Sequence, residues 1–220
     1  MPAAQKIVED LAATGLEALY VDDALLVLNK PSGLLSVPGL GEAGRDCLIH
    51  RAQAHCPDAL TVHRLDMETS GLIVLARSKA THRALSLAFQ NRQVGKRYVA
   101  IVDGQVGPEQ GEIDLPLIAD WPNRPRQKVD FEVGKPSLTR YCVLHRTPDR
   151  TRLELRPETG RSHQLRVHLQ SIGHAILGDA LYAPPAARNK SPRLLLHATE
   201  LVFQHPLQQQ MMTFSSSAPF

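Results

Sequence analysis

His63-Arg64-Leu65-Asp66-Met67-Glu68-Thr69-Ser70-Gly71 runs straight into Leu72-Ile73-Val74-Leu75-Ala76. An unbroken apolar run after Thr-Ser-Gly reads as a buried strand leaving a polar turn. That places Asp66 at the mouth of a sheet rather than inside it. Alone, an Asp ahead of Thr, Ser and Gly is a turn residue that hydrogen-bonds its own backbone. Its company argues for more. Arg64 lies two residues earlier. Far downstream, Gly160-Arg161-Ser162-His163-Gln164-Leu165-Arg166-Val167-His168 is a second segment rich in Arg and His.

The whole chain narrows the classes. At 220 residues, with 43% hydrophobic and 21% charged residues, it reads as a globular protein of one large domain. The expected division is an N-terminal arm or short helix over 1–24 and a catalytic domain over 25–220. No apolar run approaches bilayer length, and the N-terminus lacks the pattern of a signal peptide. A cytoplasmic protein is therefore expected. Three cysteines without a C-x-x-C indicate neither a disulfide framework nor a zinc ribbon. Cys47, His50 and His55 fall in an amphipathic segment where Cys is a small buried residue. A net charge of +3 is too small to establish nucleic-acid binding, but it is compatible with local phosphate contacts.

Apolar runs punctuated by Gly and Pro predict many strands and few helices. Leu25–Leu28 is a strand ended by Asn29-Lys30-Pro31-Ser32-Gly33. Asp46 is expected to cap a helix reaching about His55. Ser78 is expected to cap one from Lys79 to about Arg92 that buries Ala84, Leu85, Ala88 and Phe89. Strands follow at 95–102, 111–115, 127–133, 138–145 and 151–156, with a Pro-punctuated basic loop at 120–128. Ser162 is expected to cap a helix over 163–171 with Leu165, Leu169 and Ile172 as its buried stripe. Late strands lie near 194–203 and 211–214. This is an α+β pattern with a mostly antiparallel mixed sheet flanked by helices and loops. Neither a solenoid repeat nor a Gly-rich phosphate loop is present.

His163 and His168 are five apart, so they do not make the i, i+4 pair of a zinc protease. Arg166 borders the apolar stripe. A half-buried guanidinium needs an acidic partner or an anion, and Asp66 is the expected partner. A guanidinium close by favours carboxylate over acid. Such an Asp66 suits nucleophilic attack or proton abstraction, not acid catalysis. A glycosidase needs a second carboxyl set to donate a proton, and nothing around Glu68 predicts one. Tyr98, on an apolar strand, is by base rate core. The flanking Lys96 and Arg97 raise the alternative that its ring stacks on a base.

HRLDMETSG, KRYVA and GRSHQLRVH, in this order and spacing, resemble the RluA family of pseudouridine synthases. Asn29–Gly33 and Arg193-Leu194-Leu195-Leu196-His197-Ala198 resemble family segments too. The resemblance runs from about Leu25 to Phe214. It implies Asp66 as the catalytic aspartate, Tyr98 against the target base, Arg166 holding the aspartate, and Leu195 or Leu196 in the apolar wall. Too few residues precede the first strand for the S4 domain of many relatives. RNA selection then falls to Arg64 and the 39–45 and 120–128 loops. Asp120–Pro125 and the short chain resemble the members acting on both 23S ribosomal RNA and tRNA stem-loops. The implied reaction frees uracil N1 from ribose, turns the base and rejoins it through C5, with no cofactor. Asp66 could attack C6, attack C1′ or take a sugar proton. An inactive RNA-binding module on the same fold, and a nucleoside or glycoside hydrolase using Asp66, are the competing expectations.

Overall fold

In the computed structural model, which describes residues 2–220, the chain opens with helix α1 (Pro2–Ala13) and strand β1 (Glu17–Val21). β1 runs antiparallel to β2 (Leu25–Lys30), pairing Glu17 with Asn29 and Val21 with Leu26. Asp22 closes the turn by accepting from the backbone N–H groups of Ala24 and Leu25. Residues 17–21, assigned to an arm on sequence grounds, are thus a strand. A five-residue half-exposed strand has too little apolar alternation to stand out from a helix tail.

Helix α2 (Leu48–Gln53) follows, then β3 (Leu60–Thr61), β4 (Ser70–Ala76) and helix α3 (Lys79–Gln90). The N-cap of α2 is Cys47. Asp46 instead forms a two-bond pair with Arg51, Oδ1 to Nε at 2.7 Å and Oδ2 to Nη2 at 2.6 Å, and so does not cap the helix as expected. Ser78 caps α3 as expected, accepting from Thr81 N at 3.1 Å. The buried side of α3 carries Thr81 and Leu85, with Ala88 and Phe89 packed alongside; Ala84 faces solvent.

β2 and β4 are antiparallel, pairing Leu26 with Leu75 and Leu28 with Ile73. Both are apolar without interruption because each has two covered faces. Leu26, Leu28, Ile73 and Leu75 pack with Leu11, Leu16 and Leu48 on one side. Leu25, Val27, Leu72 and Val74 pack with Leu85, Leu201 and Phe203 on the other. Burying each such side chain stabilises the fold by about 1.5–3 kcal/mol. Cys47 and Cys56 are ordinary members of the first of these clusters.

The chain then forms β5 (Gly95–Asp103), β6 (Gln110–Asp114), β7 (Leu117–Ala119), β8 (Gln127–Val129), β9 (Leu138–Thr147) and β10 (Arg150–Pro157). β5, β10, β9 and β6 lie in that order as antiparallel neighbours. β7 and β8 form a separate hairpin, so the strand expected over 127–133 ends at Val129. Helix α4 (Gln164–Ser171) and the short α5 (Pro185–Arg188) complete this part. β11 (Leu196–Gln204) and β12 (Met211–Ser215) end the chain, pairing antiparallel.

Two compact units result. One comprises the chain up to Lys96 with Ala198–Pro219; the other comprises Arg97–His197 with Phe220. The second has its own core of Ala100, Val102, Leu153, Leu155, Leu165, Leu169, Leu177 and Leu195. α4 differs from its sequence reading. Its N-cap is His163, with φ 54°, rather than Ser162. Gln164 through Leu169 are all buried and Ile172 is exposed. The helix is covered all round because polar residues on its far side find buried partners, which an apolar stripe does not reveal.

Candidate active site

Asp66 lies in the loop entering β4, half-buried, with Arg64 exposed two residues before it. Its backbone carbonyl accepts from Thr69 N at 3.1 Å, so the turn is closed main chain to main chain. The loop is held from the Asn29–Gly33 side. Lys30 is fully buried, and its Nζ donates to the carbonyls of Pro31 at 2.9 Å, Leu34 at 2.6 Å and Met67 at 2.8 Å. Ser32 Oγ donates to Glu68 O at 2.7 Å and Gly33 N to Met67 O at 2.9 Å. Ser36 Oγ donates to Leu65 O and accepts from Leu65 N, at 2.7 and 3.1 Å. Residues on both sides of Asp66 are therefore fixed by charged or hydroxyl side chains. Such cross-bracing keeps a functional carboxylate within a fraction of an ångström of one position.

His63 closes the other end. Its Nε2 accepts from Val74 N at 3.0 Å and its ring stacks on Phe89 with centroids 4.4 Å apart. Burial first, then the positive charge of Lys96, holds its pKa down to about 3. The ring is neutral at physiological pH, with the proton on Nδ1, and acts as a hydrogen-bond acceptor for β4.

In the second unit, Arg166 projects from α4 and is 4% exposed. Its Nε and Nη2 donate to Asp179 Oδ2 and Oδ1 at 2.8 and 2.7 Å. Asp179 is itself fully buried, and its Oδ1 also accepts from the N–H groups of Leu181 and Tyr182. A buried guanidinium is tolerated because this planar fork and the two amides satisfy the carboxylate. The guanidinium also lies 5.1 Å from the Tyr182 ring centroid. The Tyr182 hydroxyl donates to His163 Nδ1 and accepts from Gln127 N, both at 2.7 Å. His168 is core. Its Nε2–H donates to Leu115 O and its Nδ1 accepts from the Thr139 hydroxyl, and burial pushes its pKa down against the pull of that carbonyl.

Tyr98 sits on β5 opposite Leu155 and packs, half-exposed, on the core cluster that contains Leu165, Leu195 and Leu196. Leu195 and Leu196 are themselves buried, so of these three the Tyr98 ring is the one left half-exposed. Among the described residues, no cluster of His, Cys, Asp or Glu has the arrangement of a metal site.

The family model for RNA pseudouridylate synthase matches residues 24–171, a span that holds the Asp66 loop, Tyr98 and Arg166. The chain belongs to that family. It is an isomerase that acts on RNA, converting uridine to pseudouridine. The synthase is similar to proteins of Escherichia coli (strain K12) and Pasteurella multocida (strain Pm70), each named dual-specificity RNA pseudouridine synthase RluA. They are 54% and 51% identical over 206 residues, spanning 93% of this chain and 94% of theirs. Among solved structures it is similar to human RNA pseudouridylate synthase domain containing 1 and 4. Their TM-scores are 0.78 and 0.77 at 27% and 28% identity. The matches cover 93% and 98% of this chain, and 84% and 93% of theirs.

Lys30 as a support, and Asp179 and Tyr182 as partners, are not among the residues that the sequence pattern singles out. The N-K-P-S-G segment signalled the first, since a Lys inside an apolar strand is rarely buried without a task. Asp179 and Tyr182 stand in a loop whose composition reads only as a turn.

Proposed function

We propose that Asp66 is the carboxylate that attacks or deprotonates the target uridine, and that Arg166 holds it. Tyr98 lies against the target base, Leu195 forms part of the wall that excludes water, and Arg64 clamps the RNA around the flipped nucleotide. The reading rests on the bracing of the Asp66 loop. Lys30, Ser32, Ser36 and Gly33 all engage the backbone of residues 65–68, which is what a preorganised reacting group requires. Lifting the base from its stack costs a few kcal/mol, which phosphate contacts from exposed arginines offset.

The substrates, on this reading, are stem-loops of both 23S ribosomal RNA and tRNA, acted on in the cytoplasm. Identity of 54% to relatives named dual-specificity supports the double range. Residues 25–220 are the catalytic domain. Tritium release from RNA labelled at uracil C5, using both transcripts, tests this. Wild type releases tritium from both, and Asp66→Ala loses about 10³-fold or more in rate. Release within tenfold of wild type by Asp66→Ala overturns the assignment of Asp66. Release from one transcript only overturns the double range. Arg64→Ala is expected to weaken binding of either RNA; unchanged affinity and turnover remove Arg64 from the site.

A further inference from the structure

Trp121 is the single tryptophan of the chain, and it is 64% exposed. An indole left in water is an unusual surface residue, because its large apolar area is normally covered. Trp121 stands at the tip between β7 and β8. The guanidinium carbon of Arg124 lies 3.7 Å from its ring centroid, a stacked cation–π pair. Arg126 is exposed on the same tip, and Lys128 is exposed on β8 just beyond it.

The tip is rigid. Asp120 N donates to Arg126 O, Asn123 N to Asp120 O and Arg126 N to Asn123 O. Asn123 Nδ2 donates to Asp120 Oδ2 at 2.9 Å. The foot of the hairpin is fastened to α4. Gln127 N donates to the Tyr182 hydroxyl, and Leu117 and Val129 pack with Val167, Leu181 and Tyr182. The indole is thus carried on a hydrogen-bonded turn whose hairpin is footed on the helix that bears Arg166.

We propose that the Trp121–Arg124 pair is a second base-binding site, which stacks on an unpaired base of the substrate RNA other than the uridine being isomerised. The proposal rests on the family's action on RNA and extends it. Isomerisation demands that water be excluded while base and sugar are apart, which an indole largely in solvent cannot provide; the base it takes is therefore a different one. Aromatic stacking with a flanking cation is how proteins hold single-stranded bases, and it tolerates any base because each has a π-face. The pair thus reads where an unpaired nucleotide stands relative to the target, rather than which base it is.

A lone tryptophan reports on its own site. Full-length Asp66→Ala protein is titrated with a tRNA-type stem-loop carrying an unpaired loop. Intrinsic emission is followed with unlabelled RNA, and anisotropy with the same RNA end-labelled with fluorescein. Emission is expected to fall by half or more, with the midpoint given by anisotropy. Trp121→Ala in the otherwise wild-type enzyme is expected to raise KM about tenfold, and Trp121→Phe to restore most of it. RNA that binds by anisotropy while emission stays constant overturns the proposal, and so does an unchanged KM for Trp121→Ala. If no RNA binds at all, the RNA reading itself fails first, and this proposal falls with it.

Discussion

At the scale of single residues, Lys30 and Arg166 are two buried charges, and each is held by a different device. Lys30 has three carbonyl acceptors around its ammonium, matching its three donors. Lys30→Met leaves those oxygens buried and short of a donor, at about 1–3 kcal/mol for each that finds no water. Urea unfolding is expected to show a loss of roughly 3 kcal/mol, and turnover should fall further than the folded fraction because the Asp66 loop is released. A loss below about 1 kcal/mol would mean that water replaces the ammonium. Arg166 depends on the Asp179 fork, with side chains 4% and 1% exposed. Asp179→Asn keeps the shape and removes the charge, leaving a buried cation without that counter-charge. The expected cost is about 3–5 kcal/mol, read as a lower melting temperature and denaturant midpoint.

Among the elements, β4 is constrained where it starts. It begins at Ser70-Gly71, and Gly71 has φ 114°. A Cβ built there would stand 2.3 Å from Ala198 O and 2.5 Å from Ala198 N. The backbone of a neighbouring segment occupies the place of a side chain, so no rotamer can relieve the overlap. Gly71→Ala combines a disfavoured φ with this clash. It is expected to lower stability by about 3 kcal/mol or more, with insoluble expression as the extreme outcome; a melting temperature within a few degrees of wild type would refute the argument. Helix α3 provides a milder contrast. Ser78→Ala removes the cap on Thr81 N and is expected to cost about 1 kcal/mol.

The molecule as a whole should lose stability in mild acid, and the sign follows from two histidines. His63 and His168 have folded pKa values held below the unfolded value, His63 at about 3. Above about pH 6.5 both states are neutral there and nothing changes. As pH falls below that, the unfolded chain takes up protons that the folded chain refuses, so stability declines until the folded pKa is reached. Each histidine contributes a slope of at most ~1.36 kcal/mol per pH unit; the partial exposure of His63 reduces its share. Between pH 7.5 and 5 the His63 contribution is expected to be roughly 1–2 kcal/mol. His63→Gln retains an acceptor for Val74 N and should flatten the dependence by that amount in paired denaturation curves. Identical curves would remove His63 as the cause.

Much of this protein follows from short-range patterns. The α+β class, β2, β4, β5, the β9–β10 pair and the Ser78 cap were legible because periodicity, Gly/Pro punctuation and capping act within a few residues. The Asp66 loop was legible for the same reason, as a polar turn feeding an apolar strand. The sequence by itself also carried the Arg-and-His segment that singles out Arg166. Only the tertiary structure decided what holds these groups. Lys30 meets Met67 across 37 positions, Arg166 meets Asp179 across 13, and Tyr182 meets Gln127 across 55. A buried polar group takes whichever partner the folded backbone brings within about 3 Å. No local propensity records that choice, because it is set by the meeting of segments rather than by either segment alone.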